Sequence, residues 1–214
     1  MASEKEKRRK RKEPEEARKR ILQAALKAFA EDGFEGARVD RIAEIAGVNK
    51  AMLYYHVGGK EALYEAVLME NFERLARALE VARQGGKDPE EQMRRVLDAL
   101  IRTLNEIPEH PRIMARELSA GATHLPSRAV DEMTRVFGIV KGILEEGRKS
   151  GVFRDVNPML AHLSIVGSTV FLIASGPIRQ RFNEVLQAHG GQGPGDDVLG
   201  LGIADLVLNG IRKR

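Results

Sequence analysis

From Pro14 to Ala30, Ile21, Ala25 and Phe29 fall on one stripe with Leu22 and Leu26 beside it, the recurrence at three and four residues of an amphipathic helix. Pro14 suits its first turn, where the missing N–H has no helical partner to lose, and Gly33 suits its stop. Val39, Ile42, Ala43 and Ala46 then repeat the spacing over only two turns. Gly47 supplies the freedom for a sharp turn, Val48 an apolar plug, and Asn49 a cap for a third short helix, 50–55. Two short helices hinged at one glycine predict a helix-turn-helix. Gly58 and Gly59 break the chain before a long helix from Lys60 to about residue 83, with Leu63, Val67, Leu68, Phe72, Leu75 and Leu79 on its buried side.

The remainder reads as further helices punctuated by Pro and Gly. Asp88 and Pro89 start one that carries Met93, Val96, Leu97, Leu100, Ile101 and Leu104; Pro108 and Pro111 bracket the break to a shorter one with Ile113, Met114 and Leu118. A long helix spans 126–150 with Val130, Met133, Phe137, Val140 and Leu144. An apolar one follows Asn157-Pro158 to about Ser175, Pro177 interrupts before 182–188, and a flexible loop at 190–195 leads to a last helix, 196–211. No strand pattern or repeat occurs, so the chain is predicted to be all-α. An N-terminal three-helix headpiece (14–59) precedes a larger helical body (60–214).

Composition narrows the chemistry. The absence of Cys excludes disulfides, thiolate zinc sites and a Cys nucleophile, and fits a reducing cytoplasm. The longest apolar stretch is broken by Ser164, Gly167, Ser168 and Thr169 and falls short of the roughly 20 residues a bilayer needs, and the charged N-terminus has no signal-peptide core. The net charge of +4 is uneven. Ten Lys/Arg against five Asp/Glu crowd the first 20 residues, whereas 61–214 is nearly balanced. A basic head on a neutral body suggests that the head meets a polyanion. Residues 1–13, with the run KRRKRK, cannot bury themselves and are expected to form a disordered basic arm, either a solubility tail or a strand lying on phosphates.

In a helix-turn-helix, the N-terminal residues of the second helix reach base edges in the major groove. With Leu53 turned inward beside Val48 and Ile42, the candidate readers are Lys50, Ala51, Tyr54 and Tyr55: Lys suits guanine O6/N7, an Ala methyl suits a thymine methyl, and Tyr offers a ring and a hydroxyl. Asn49, His56 and Lys60 are candidate phosphate contacts, with the amides opening the long helix.

The stretch FAEDGFEGARVDRIAEIAGVNKAMLYYHVGGKEALYEAVL resembles the DNA-binding domain of TetR-type (tetracycline-repressor-like) transcriptional regulators. The residues that carry the likeness are Phe29, Gly33-Phe34, Val39, Ile42-Ala43, Ala46-Gly47-Val48, Leu53-Tyr54, His56-Val57 and Gly59-Lys60-Glu61 with Leu63. It covers about residues 18–68. The resemblance implies a homodimer on a palindromic double-stranded DNA operator, released by a small-molecule effector in the C-terminal domain. Its base-contacting positions fall on Lys50, Ala51 and Tyr54, and its phosphate-contacting ones on Asn49, Tyr55, His56 and Lys60. Two positions depart from the family. Arg38 stands where Thr or Ser usually caps the second helix and could instead reach a phosphate, and Asp40 stands at an often basic or neutral position.

The body resembles the family less tightly, in HPRIMARELSAG and GRKSGVFRDVNPMLAHLSIVGSTVF. Met93, Leu97, Met114, Met133, Phe137 and Phe171 could line an apolar effector cavity, or simply fill the core. His110, Arg116 and Glu117 are polar candidates, each expected more readily as a solvated or ion-paired surface group. The helix 158–175 is apolar nearly all round, which with the helix 196–211 suits a two-helix face completed by a twin subunit, or a pair of central helices within one subunit.

No enzyme motif survives scrutiny. Tyr54 stands where a phosphate loop ending in Gly59-Lys60 would need glycine, and no H-E-x-x-H or G-x-S-x-G occurs. The five His lie at 56, 110, 124, 162 and 189, none at ligand spacing, and no cofactor is expected. Two other readings remain from residues alone: a constitutive DNA binder without effector, and a helical scaffold for protein partners.

Overall fold

The computed structural model describes residues 2–213, with side chains described for 14–195 and 198–213. The expected basic arm, 1–13, lies outside the described side chains. Apart from one isolated antiparallel bridge between Phe153 and Arg212, all regular structure among the described residues is helical. Ten helices follow one another: α1 (Ala2–Gly36), α2 (Val39–Ala46), α3 (Lys50–Val57), α4 (Lys60–Gln84), α5 (Pro89–Glu106), α6 (Glu109–Ser119), α7 (Ser127–Lys149), α8 (Pro158–Ala174), α9 (Gly176–Ala188) and α10 (Asp196–Ile211). The chain is all-α, as its periodicity predicts.

The punctuation works mostly as its chemistry suggests. Gly33 breaks α1 with φ 72°, and Gly47 closes α2 in the left-handed conformation. Asp88 and Asn157 cap α5 and α8 through their side chains. Two prolines act differently from expectation. Pro14 lies inside α1 rather than in its first turn. Pro177 occupies the first turn of α9, so that helix starts at Gly176, because a residue with no N–H is harmless there.

Two apolar clusters form the core. One gathers α1, α2, α3 and the first half of α4, and also takes in Ile113 and Met114 of α6 and Ala129 of α7. The other joins the second half of α4 to α5, α7, α8 and α10 around Met93, Leu97, Leu100 and Ile143. A single long helix, α4, belongs to both, with Leu63, Val67, Leu68 and Phe72 facing the first and Leu75, Ala76 and Leu79 the second. Headpiece and body therefore share packed side chains rather than a linker.

His110 and Glu117 correct an expectation: both are buried, not solvated. His110 opens α6 with its ring edge-on to Phe72 at 4.7 Å between centroids, and its Nδ1 has no hydrogen-bond partner among the described residues. Helical spacing marks which face a residue shares, but α6 is clasped by α1 on one side and α8 on another, which leaves it little free face.

Burial without a partner disfavours the charged imidazole and lowers the pKa of His110 to about 4. Above the ordinary value near 6.5 the ring is neutral in both states and costs nothing. As pH falls from there toward 4, the unfolded chain takes a proton that the folded one refuses. Stability should then drop by about 1.4 kcal/mol per pH unit from this group, to a total near 3 kcal/mol. Denaturant titrations from pH 7 to 4.5 should show wild type losing stability more steeply than His110→Phe; parallel profiles would contradict the assignment.

Candidate nucleic-acid interface

The eight residues of α3 have one anchor. Leu53 is completely buried in the headpiece cluster, while Lys50, Ala51, Met52, Tyr54 and Tyr55 are exposed. A side chain sunk at one position turns the helix so that positions one before and one after point away from the core. Asn49 holds the start of the helix, its Oδ1 accepting from the Met52 N–H at 2.7 Å. That carboxamide is thus engaged as a cap, and any phosphate contact from Asn49 would come through its remaining donors. Tyr54 is 47% exposed and Tyr55 86%, and the Tyr55 ring meets His56 edge-on. Exposed aromatic rings on so short a helix add little to the core.

Polar ties fix the frame around α3. Arg20 of α1 donates from Nε to the carbonyl of Ala46 at 3.1 Å, closing the end of α2. Arg41 of α2 pairs with Asp32 at 2.8 Å and Glu31 at 3.2 Å on α1. Lys60, expected at phosphate, is already employed: its ammonium donates to the Glu35 carbonyl at 2.9 Å and sits 4.8 Å from the centre of the Phe34 ring. Arg38 precedes α2 in an extended conformation with no capping hydrogen bond, and it is exposed.

Asp40, in the first turn of α2, meets Lys50, in the first turn of α3, at 2.8 Å. Their hydrogen bond holds the Asp40 carboxyl below the usual carboxylate range and raises the Lys50 ammonium above its ordinary value. Sequence spacing alone does not reveal this pair, because ten residues and a turn separate its members.

Behind the interface, α6 grips the headpiece. Arg116 donates from Nε to the Ala30 carbonyl at 3.0 Å and from Nη2 to the Glu31 carbonyl at 2.5 Å, capping α1 just before its break at Gly33. A cation over carbonyls at a helix C-terminus meets the negative end of the macrodipole. Next to it, buried Glu117 accepts from the Tyr64 hydroxyl at 2.7 Å and from the His124 N–H at 3.3 Å. Burial, then the Glu117 hydrogen bond, pushes the Tyr64 phenol well up, so it stays a neutral donor. His124 continues the chain to Glu35 at 2.9 Å and stacks on Phe34 at 4.5 Å. Periodicity marks Arg116 and Glu117 only as polar positions on a short helix, and the partners that tie them to the headpiece, Tyr64 and the Ala30 carbonyl, lie 53 and 86 residues away in sequence.

The residues expected around an effector are scattered. Met93 and Leu97 are buried in the body core, and Met114 is buried in the headpiece cluster with Met133 packed against it. Phe137 is partly buried edge-on to His162 at 5.3 Å, and Phe171 is 73% exposed on α8. None of the six lines the 760 Å³ cleft between the α5–α6 junction and the α8–α9 break, whose walls include Asn105, Arg112, Arg179, Gln180 and Asn183. A groove of 350 Å³ runs between α8 and α10, lined by Leu160, Ala161, Leu206 and Val207. Among the described residues no cluster of His, Asp and Glu is arranged to hold a metal ion, and no single helix is long and apolar enough to cross a membrane.

Comparison with known proteins matches this geometry. Residues 21–67 fit the model of bacterial regulatory proteins of the tetR family, and residues 89–187 fit the tetracyclin repressor-like C-terminal domain. The chain is 32% identical over 159 residues to the HTH-type transcriptional regulator RutR of Escherichia coli, covering 71% of each chain. It is also 32% identical over 140 residues to the HTH-type transcriptional repressor NicS of Pseudomonas putida, covering 64% of this chain and 66% of that one. Among solved structures it superposes on the TetR family regulator PfmR of Thermus thermophilus with a TM-score of 0.70 at 26% identity, over 91% of this chain and 97% of that one. A tetR-family regulatory protein from Rhodococcus shares the fold with a TM-score of 0.75, covering 92% and 98%. A pinned reading helix, a headpiece fused to a helical body and matches to both domains lead to one conclusion: the chain belongs to the TetR family of bacterial transcriptional regulators.

Proposed function

We propose that the chain is a homodimeric transcriptional repressor that holds a palindromic operator through two copies of α3 and leaves it when a small molecule binds the helical body. The observation that carries this reading is the exposed triad of Lys50, Ala51 and Tyr54 around buried Leu53. Those three side chains offer a guanine-seeking cation, a methyl for thymine and a phenol. Asn49, Tyr55, His56 and Arg38 flank them as phosphate contacts, with Lys60 positioning the turn before α4 while its remaining donors reach outward. NicS and the other relatives named as repressors support the direction of control.

Dimerisation is supported by what α8 and α10 leave uncovered. Met159, Leu160, Leu163 and Phe171 on α8, and Leu201 and Leu206 on α10, are exposed beside the apolar groove. An apolar patch of this kind on a water-facing surface marks an interaction site, and an identical face from a second copy completes a four-helix bundle.

The effector reading rests on α6. Its first half reaches the polar cleft through Arg112, and its second half holds α1 and α4 through Arg116 and Glu117. The cleft lies within the size range of small-molecule sites. A ligand that prefers a shifted α6 would draw on the same helix that braces the headpiece, and only such a preference lowers operator affinity.

Three outcomes test this function. Binding to the native promoter region, measured against salt, should fall steeply, because each neutralised phosphate contributes about −0.9 to the log–log slope. Tyr54→Ala should weaken the specific operator roughly 5- to 150-fold while leaving that slope unchanged, since it removes no charge; no loss, or a salt-insensitive signal, favours a scaffold instead. Separately, Leu206→Asp alters a side chain 76% exposed and so leaves the protomer folded. It should give monomers by light scattering, and a persistent dimer would refute the α8–α10 face.

A further inference from the structure

Asp40 is a carboxylate on a surface that meets phosphates, and the function as proposed gives it no task. Its pairing with Lys50 at 2.8 Å does not explain it through stability, because both side chains are more than half exposed and such pairs contribute little to folding. Near a phosphate it would be repelled. Beside base edges, however, a carboxylate has one good partner, the exocyclic amino group of cytosine, as Lys has guanine O6 and N7.

The spacing fits both at once. In a G·C pair the guanine O6 and cytosine N4 are themselves hydrogen-bonded, about 2.9 Å apart, and both show in the major groove. The Lys50 Nζ and Asp40 Oδ1 present a donor and an acceptor at 2.8 Å, the complement of that edge. A T·A pair in the same orientation offers O4 and N6 at similar spacing. There, though, the thymine methyl replaces the second acceptor that Lys finds on guanine, and adenine N7 would face the carboxylate. The pair is also held before DNA arrives: Asn49 caps the start of α3 beside Lys50, and Arg41 anchors α2 beside Asp40. A flexible lysine tied to a carboxylate loses less freedom on reading a base than a loose one.

Resting on the operator-binding reading above, we propose that Asp40 and Lys50 act as one base-reading couple that requires a G·C pair in each half-site. Asp40 accepts from cytosine N4 while Lys50 donates to guanine O6 and N7 of the same pair.

Selection from a randomised DNA library with wild type, Asp40→Ala and Lys50→Ala tests this. Wild type should select G·C at one position per half-site, about 5- to 150-fold over the other pairs. Both variants should relax that same position and no other, and thermal unfolding should show both folded. If Asp40→Ala relaxes no position, relaxes a different one from Lys50→Ala, or only tightens binding to all sequences alike, the couple is refuted while operator binding stands. A wild type that selects no sequence at all overturns the operator reading itself, and the couple with it.

Discussion

The burial of Leu53 governs what the rest of the molecule can do. In eight residues of α3 it alone is fully enclosed, and its partners in that cluster come from α1, α2 and α4. Truncating it to Ala would cost about 2–5 kcal/mol by loss of transfer energy and by the cavity left behind. It would also release the rotation of the helix. Every candidate contact, from Lys50 to His56, takes its direction from that one side chain, so the reading surface is a by-product of core packing.

Around the anchor, polar ties convert a packed headpiece into a braced one. Arg20, Arg41 and Lys60 each close an end or a turn within it, and Arg116 and Glu117 reach in from the body. The internal ties are mostly exposed and individually modest. The Glu117–Tyr64 hydrogen bond is of another kind. A buried carboxyl that lost its phenol partner would keep only the longer hydrogen bond from the His124 N–H, so the Glu117–Tyr64 contact holds α6 and α4 in one register. That is the property a helix needs if a displacement at its cleft end is to be felt at α1.

Much of this was legible in the sequence. The apolar recurrences around Ile21, Ile42, Leu53 and Leu63 place four helices and their inward faces, because helical period and core burial are the same fact seen twice. The headpiece motif, at Gly47, Asn49 and Gly59, is readable because each residue type has a local conformational reason. What escaped reading depends on contacts between distant segments. The burial of His110 and Glu117 arises where α6 is enclosed by neighbours, and the Asp40–Lys50 pair arises only once two helices cross. The surface position of Phe171 is the mirror case: an apolar residue at an apolar spacing, left 73% exposed on α8. Periodicity records that a face is apolar, and not whether its own chain or another covers it.

The central claim is that two identical reading helices engage one duplex together. Hydroxyl-radical footprinting of the saturated operator measures it with the unaltered protein. Two equivalent patches of protection on one face of the duplex, centred 10–10.5 base pairs or a whole multiple apart, are expected. A single patch at saturation, or two patches offset by half a turn, would contradict the account.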